Sequence, residues 1–160
     1  IPTYEEGDLR LFETGAIVLH IAERSEVLMP RDPHGRARTM SWVVASLNSI
    51  EPYFMSLFDT EVFYAGAEWA RLRRGEAEAQ VRQRLGQLSE WLGARDHLED
   101  RFTAGDLMMT TVLRILRFSD LVAAYPNLAA YHARCEARPA FQAALAAQMA
   151  AFDRRESAAA

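Results

Sequence analysis

Phe102-Thr103-Ala104-Gly105-Asp106-Leu107 is the stretch that decides the fold of this chain. Thr103 stands where a helix N-cap belongs, and Asp106, three residues on, can reach back to the cap's own N–H. This is a capping box with Asp in the slot where Glu or Gln is commoner. Phe102 and Leu107 are spaced as a hydrophobic staple, which sets the entry angle of the first turn. The run that follows, Leu107-Met108-Met109-Thr110-Thr111-Val112-Leu113-Arg114-Ile115-Leu116, is apolar on nearly every side, and such a helix belongs in the middle of a domain. The other helices must wrap it. Loss of Thr103 or Asp106 should cost about 1 kcal/mol or more in stability and affect activity only through unfolding.

Outward from that helix the pattern stays helical. Ala77, Val81, Leu85, Leu88 and Leu92 recur at helical spacing, with Arg71, Arg73, Arg74 and Glu76 as a solvated approach, and Gly93 to Arg101 reads as a loop. Further upstream Asp32 as N-cap and Pro33 at N1 start a long helix whose inward face is predicted at Ala37, Met40, Val44, Leu47 and then Ile50 or Phe54. Pro52 lies inside that pattern and predicts a kink or break near Asn48 to Glu51. On the C-terminal side Tyr125-Pro126-Asn127 ends one helix and begins another with Leu128, His132 and Cys135 on one face. Pro139 starts a last helix through Phe141, Leu145, Gln148 or Met149, and Phe152, with fraying at Ala158 to Ala160.

The only β signal lies at the start. Thr3-Tyr4-Glu5 and Leu9-Arg10-Leu11-Phe12 flank the turn Glu6-Gly7-Asp8 and predict a hairpin. A helix then opens at Glu13-Thr14-Gly15 and runs to about Arg24, with Ile17, Ile21 and Leu28 facing inward. Two short strands are not stable alone, so a larger sheet is expected, with its other strands upstream of Ile1.

Composition bounds the function. Of the 160 residues half are hydrophobic and a quarter charged, an ordinary globular balance for one domain or one and a fragment. A net charge of −4 gives no electrostatic reason to expect nucleic acid or an anionic membrane as partner. All 18 Lys and Arg positions are Arg, which excludes a Schiff-base lysine. Cys135 is the only cysteine, so neither an intramolecular disulfide nor a thiolate zinc cluster can form, and a cytoplasmic location fits. No apolar run reaches the length of a membrane span, and no signal-peptide pattern opens the sequence.

In their order and spacing, the X-Pro step Ile1-Pro2, the hairpin, Phe12-Glu13-Thr14-Gly15-Ala16-Ile17 with Ala22-Glu23 closing that helix, the Thr103/Asp106 box, Tyr125-Pro126-Asn127-Leu128 and Arg138-Pro139-Ala140-Phe141 together resemble the glutathione S-transferase family. The resemblance covers the whole chain. It implies an α+β but mostly α protein: residues 1–24 as the C-terminal part of a thioredoxin-like glutathione-binding domain, 25–32 as linker, and 33–156 as an all-helical C-terminal domain. It further implies glutathione as cosubstrate with no metal, and a bacterial-type homodimer. The activity implied is transfer of the glutathione thiolate to a small hydrophobic electrophile. The family's catalytic Ser, Tyr or Cys would lie upstream of Ile1, so no catalytic residue is named. Two other readings share the fold: a non-catalytic interaction module, and a glutathione-dependent isomerase, dehalogenase or reductase.

The resemblance assigns Pro2 as a cis proline, with the backbone of Ile1 pairing with the cysteinyl part of glutathione as an added strand would. Glu13 and Thr14 suit a γ-glutamyl group on physical grounds: Glu13 offers a carboxylate to its ammonium, while Thr14 at a helix N-terminus offers N–H and hydroxyl to its carboxylate. For the hydrophobic substrate the candidates are Trp42, Ser46, Ser49 and Tyr53 along one side of the long helix, with Arg114 or Arg117 as anion contacts. The bland reading of Trp42 and Tyr53 is core or dimer packing. His20 and His132 have no second ligand at metal spacing, and Met108-Met109 reads as core filler.

Overall fold

The computed structural model describes residues 2–159, with side chains through residue 152; Ile1, and with it the Ile1–Pro2 peptide, lies outside the described residues. The fold is mostly helical with one two-stranded sheet. Strands β1 (Thr3–Glu6) and β2 (Leu9–Phe12) pair antiparallel from Thr3↔Phe12 to Glu6↔Leu9. Glu6 therefore belongs to the strand, and Gly7-Asp8 alone make the turn. Gly7 takes φ 57°, the left-handed conformation that the first position of such a two-residue connection requires.

Helix α1 (Thr14–Ala22) lies against the hairpin, tied to it by the Arg24–Glu6 ion pair and by Tyr4 packed on His20 with ring centroids 5.5 Å apart. The Arg24 guanidinium holds the exposed Glu6 carboxyl down at about 2. The helix buries Ala22, with Val18 and Leu19 packed beside Met29, Val43, Ala104 and Met108. Its predicted inward residues fare differently, since Ile17 is half-buried and Ile21 exposed. The helix is apolar on several sides, so periodicity alone selects no face, and contact with the following helices selects Val18 and Ala22.

Helix α2 (Pro33–Ala45) begins as predicted, the Asp32 Oδ1 accepting from Gly35 N at 2.7 Å with Pro33 in the first turn. Its buried face is not the predicted one, although Ile50 and Phe54 further along the line are buried as predicted. Gly35, Thr39, Val43 and Ser46 are buried, while Ala37, Met40 and Val44 are exposed. The reason is proximity to the central helix: a Cβ on Gly105 would stand 2.6 Å from Trp42 Cβ, so small residues line this contact and larger ones are left outside. The buried hydroxyls are satisfied within the helix, Thr39 donating to Gly35 O at 2.9 Å and Ser46 to Trp42 O at 2.7 Å. The break predicted at Pro52 takes the form of a π-helical turn, Ser46–Ile50, leading into α3 (Glu51–Phe58). The wider turn accommodates a proline that lacks an N–H and would clash with the preceding turn. A second π-turn, Asp59–Phe63, follows.

Helix α4 (Glu68–Leu92) buries Ala77, Val81, Leu85, Leu88 and Leu92 as predicted, but starts earlier, so Arg71, Arg73, Arg74 and Glu76 are part of its exposed face. The central α5 (Ala104–Leu113) is buried at almost every position and continues as a 3-10 turn, Arg114–Phe118. Against it packs α6 (Pro126–Glu136), which buries Leu128, Tyr131 and Cys135, and α7 (Pro139–Ala159) packs on α6 in turn. Tyr131 occupies the place predicted for His132, which is only half-buried.

The start of α5 is a closed polar knot. Asp106, with no exposed surface, accepts from Thr103 N at 2.9 Å and Thr103 Oγ1 at 3.3 Å through one oxygen, and from Leu98 N at 2.8 Å and Tyr131 OH at 3.1 Å through the other. Thr103 Oγ1 in turn accepts from Gly105 N at 3.2 Å. The box therefore also fastens the preceding loop and α6.

Candidate functional site

The hairpin register does more than pair two strands. Thr3 faces Phe12, so one step further along the ladder Pro2 comes level with Glu13. Glu13 has φ 71° and ψ 119° and is the only non-glycine residue with positive φ among the described residues. A conformation of this kind costs on the order of 1–3 kcal/mol and persists only where the surroundings enforce it. Here the end of β2 on one side and the first turn of α1 on the other enforce it, with Glu13 O accepting from Ile17 N at 3.0 Å.

Glu13 and Thr14 are both exposed, and no side-chain hydrogen bond caps α1. Among the described residues neither side chain has a hydrogen-bond or ion-pair partner. The first N–H groups of α1 are therefore open to an incoming acceptor, beside a free carboxylate. Gly15 brings this end of the helix close to α2, since a Cβ there would lie 2.9 Å from Leu47 Cδ1. The arrangement can hold a group with adjacent positive and negative charges: the carboxylate takes the cation and the helix terminus the anion.

The candidates for a second substrate are not gathered in one place. Trp42 donates its indole N–H to Glu99 Oε1 at 2.9 Å and packs on Trp91 with centroids 5.4 Å apart. Ser46 has no exposed surface. Ser49 is exposed, and Tyr53 accepts from Arg84 at 2.8 Å with the guanidinium over its ring. Trp42, Ser46 and Tyr53 thus face α4, α5 and the loop between them.

Arg117 borders a crevice beside His132 and Glu136, while Arg114 borders a separate cavity of about 550 Å³ between residues 25–28, α5 and α7. Leu28, Phe102, Leu107, Phe141 and Leu145 make it apolar, and Arg138 lies flat on Phe102, 3.7 Å from the ring centroid. Its walls come from three separate parts of the chain, which no local pattern announces. Cys135 is buried, which pushes its thiol up and away from reactivity. Among the described residues no three metal-ligating side chains stand together, and no helix is long and apolar enough to cross a membrane.

The family model described as glutathione S-transferase, C-terminal domain, matches residues 61–139. A glutathione S-transferase of Arabidopsis thaliana is 27% identical over 154 residues, which are 88% of this chain and 61% of that protein. A glutathione transferase of Burkholderia graminis, solved with two glutathione molecules bound per subunit, superposes with a TM-score of 0.77 at 29% identity, over 85% of this chain and 61% of that one. In sequence and in fold the chain is similar to glutathione S-transferases. A further glutathione transferase structure, from Pseudomonas putida with one glutathione disulfide per subunit, gives a TM-score of 0.76 at 26% identity over 84% of this chain and 61% of its own. This chain thus spans about three fifths of the length of these relatives, 61% in each case.

Proposed function

We propose that this chain contributes the γ-glutamyl subsite and the helical domain of a glutathione S-transferase, which conjugates the glutathione thiolate to a small hydrophobic electrophile. In this reading residues 1–24 are the end of a thioredoxin-like domain, 25–32 the linker and 33–156 the helical domain. The observation that carries the reading is Glu13: a strained residue with an unpartnered carboxylate, beside an uncapped helix N-terminus and level with Pro2. Glu13 takes the α-ammonium of glutathione, and Thr14 with the first N–H groups of α1 takes the α-carboxylate. Pro2 and Ile1 lie where the cysteinyl backbone would run. The bound forms named for the Burkholderia and Pseudomonas relatives support glutathione as the ligand.

The thiolate is the nucleophile in such a transfer, so the group that lowers the thiol's pKa is the remaining requirement. A homodimer belongs to the same proposal, supported by the exposed line Ala37, Met40 and Val44 on α2, and a cytoplasmic location is supported by the single unpaired Cys135.

Titration of the isotope-labelled chain with glutathione, followed by amide NMR, tests the subsite even where binding is weak. Saturable shifts are expected at Thr14, Gly15 and Ala16. They should weaken at least about tenfold in a Glu13→Ala, Thr14→Ala double variant, as loss of two charge-assisted contacts implies. Shifts elsewhere only, or an unchanged affinity in the variant, would overturn the assignment.

A further inference from the structure

His132 is half-buried, and the surroundings of its ring conflict with the neutral state. Its Nε2 is shielded from solvent and without a hydrogen-bond partner, although Glu136 Oε1 lies only 3.6 Å away, beyond bonding distance. The Thr110 backbone also favours the charged ring. A neutral imidazole carries a single N–H and can serve one acceptor; an imidazolium carries two. The ring thus stands beside two acceptors and, when neutral, can satisfy only one.

Glu136 is already engaged. It pairs with Arg114 from the 3-10 turn after α5, and Arg114 lies over the Phe141 ring, 5.6 Å from its centroid. Arg114, Phe141 and Leu145 are walls of the 550 Å³ cavity. One carboxylate therefore anchors an arginine on which the start of α7 rests, while an unsatisfied histidine stands near the same oxygen, Oε1.

We infer that His132, Glu136 and Arg114 form a proton-operated latch that holds α7 against the cavity. With His132 neutral, Glu136 serves Arg114 and α7 is held. When His132 takes a proton from solvent, its Nε2–H turns to Glu136, the carboxylate is shared between two cations, and the hold on Arg114 weakens.

The other groups around the ring act in the same direction or are neutral. Arg117 borders the crevice that His132 and Glu136 line and adds positive charge; Ser119, Val122 and Ala123, which line it too, add none. From α7, Gln142 donates to Glu136 O at 2.8 Å and does not titrate. Burial and the Arg114 guanidinium hold the imidazole below the usual histidine range, so the latch opens under mild acid rather than at neutrality.

The test follows the histidine and the cavity wall in one titration. Ring carbons of His132 and the methyl groups of Leu145 are observed by NMR in the unaltered chain from about pH 8 to about pH 5. Both sets of signals should move with a single midpoint. Hydrogen exchange of residues 140–148, corrected for its intrinsic pH dependence, should speed up about fivefold or more over the same range. In His132→Gln the exchange step should vanish, and in Glu136→Gln exchange should be fast throughout. Leu145 signals that ignore the His132 midpoint, or the same exchange step in His132→Gln, would overturn the latch.

Discussion

Asp106→Ala is the perturbation that best separates an ordinary helix cap from what this structure contains. At a solvent-exposed capping box the loss is about 1 kcal/mol. Here the carboxylate, Leu98, Thr103 and Tyr131 are all buried. Removing the carboxylate strands the N–H groups of Leu98 and Thr103 and the O–H of Tyr131. Each buried donor left without an acceptor costs about 1–3 kcal/mol, so the three together set a range of about 3–9 kcal/mol. Water entering beside the loop relieves part of this, and about 4 kcal/mol is the expected loss, equivalent to a fall in Tm of about 10 °C for a chain of this size. Urea unfolding followed by circular dichroism measures it. Tyr131→Phe alone should cost about 1 kcal/mol, and because it removes one stranded donor, the double variant should be less destabilised than the sum of the two by about 1 kcal/mol. A loss near 1 kcal/mol for Asp106→Ala, or strict additivity with Tyr131→Phe, would refute the account of a shared buried acceptor.

Two further outcomes are expected. Gly105→Ala should destabilise by about 1–3 kcal/mol, because the new Cβ meets the Cβ of Trp42, which can move only with its backbone. Gly15→Ala meets only the mobile end of Leu47 and should stay within about 1 kcal/mol of the unaltered chain; equal losses at both sites in urea titrations would contradict the packing described for α2 and α5. The third concerns pH. His132 is held below its ordinary value of 6.5 in the fold, so below that pH the unfolded chain takes up the proton more readily and stability declines until the folded-state value is passed. The unaltered chain should lose stability more steeply than His132→Gln from neutrality into mild acid; parallel curves in urea titrations across that range would exclude this contribution.

Local chemistry made much of the molecule legible in the linear sequence. The Thr103/Asp106 box, the Asp32-Pro33 helix start, the Gly7-centred hairpin and the break ahead of Pro52 are each decided by side chains and dihedral limits within a few residues. Glu13 and Thr14 were legible as a charge pattern at a helix start, but the backbone strain at Glu13 and its alignment with Pro2 arise from the register of β1 and β2. The inward faces of α1 and α2 were not legible. Both helices carry apolar residues on several sides, and the face that is buried depends on how closely α5 approaches.

The same limit governs the cavity and the latch. Arg114, the His132 and Glu136 pair, and Phe141 come from the turn after α5, from α6 and from α7, so the sequence signals only the i,i+4 spacing of His132 and Glu136. The sequence by itself determined where helices start and stop and which dipeptide could meet a zwitterion, because those depend on short-range hydrogen bonding and charge. Only the tertiary structure decided which faces are buried, that Asp106 also fastens Leu98 and Tyr131, and that Trp42, Ser46 and Tyr53 are committed to packing. Those outcomes depend on interhelical distances of a few ångströms, which are set by the whole assembly of helices around the one that Phe102 to Leu107 begins.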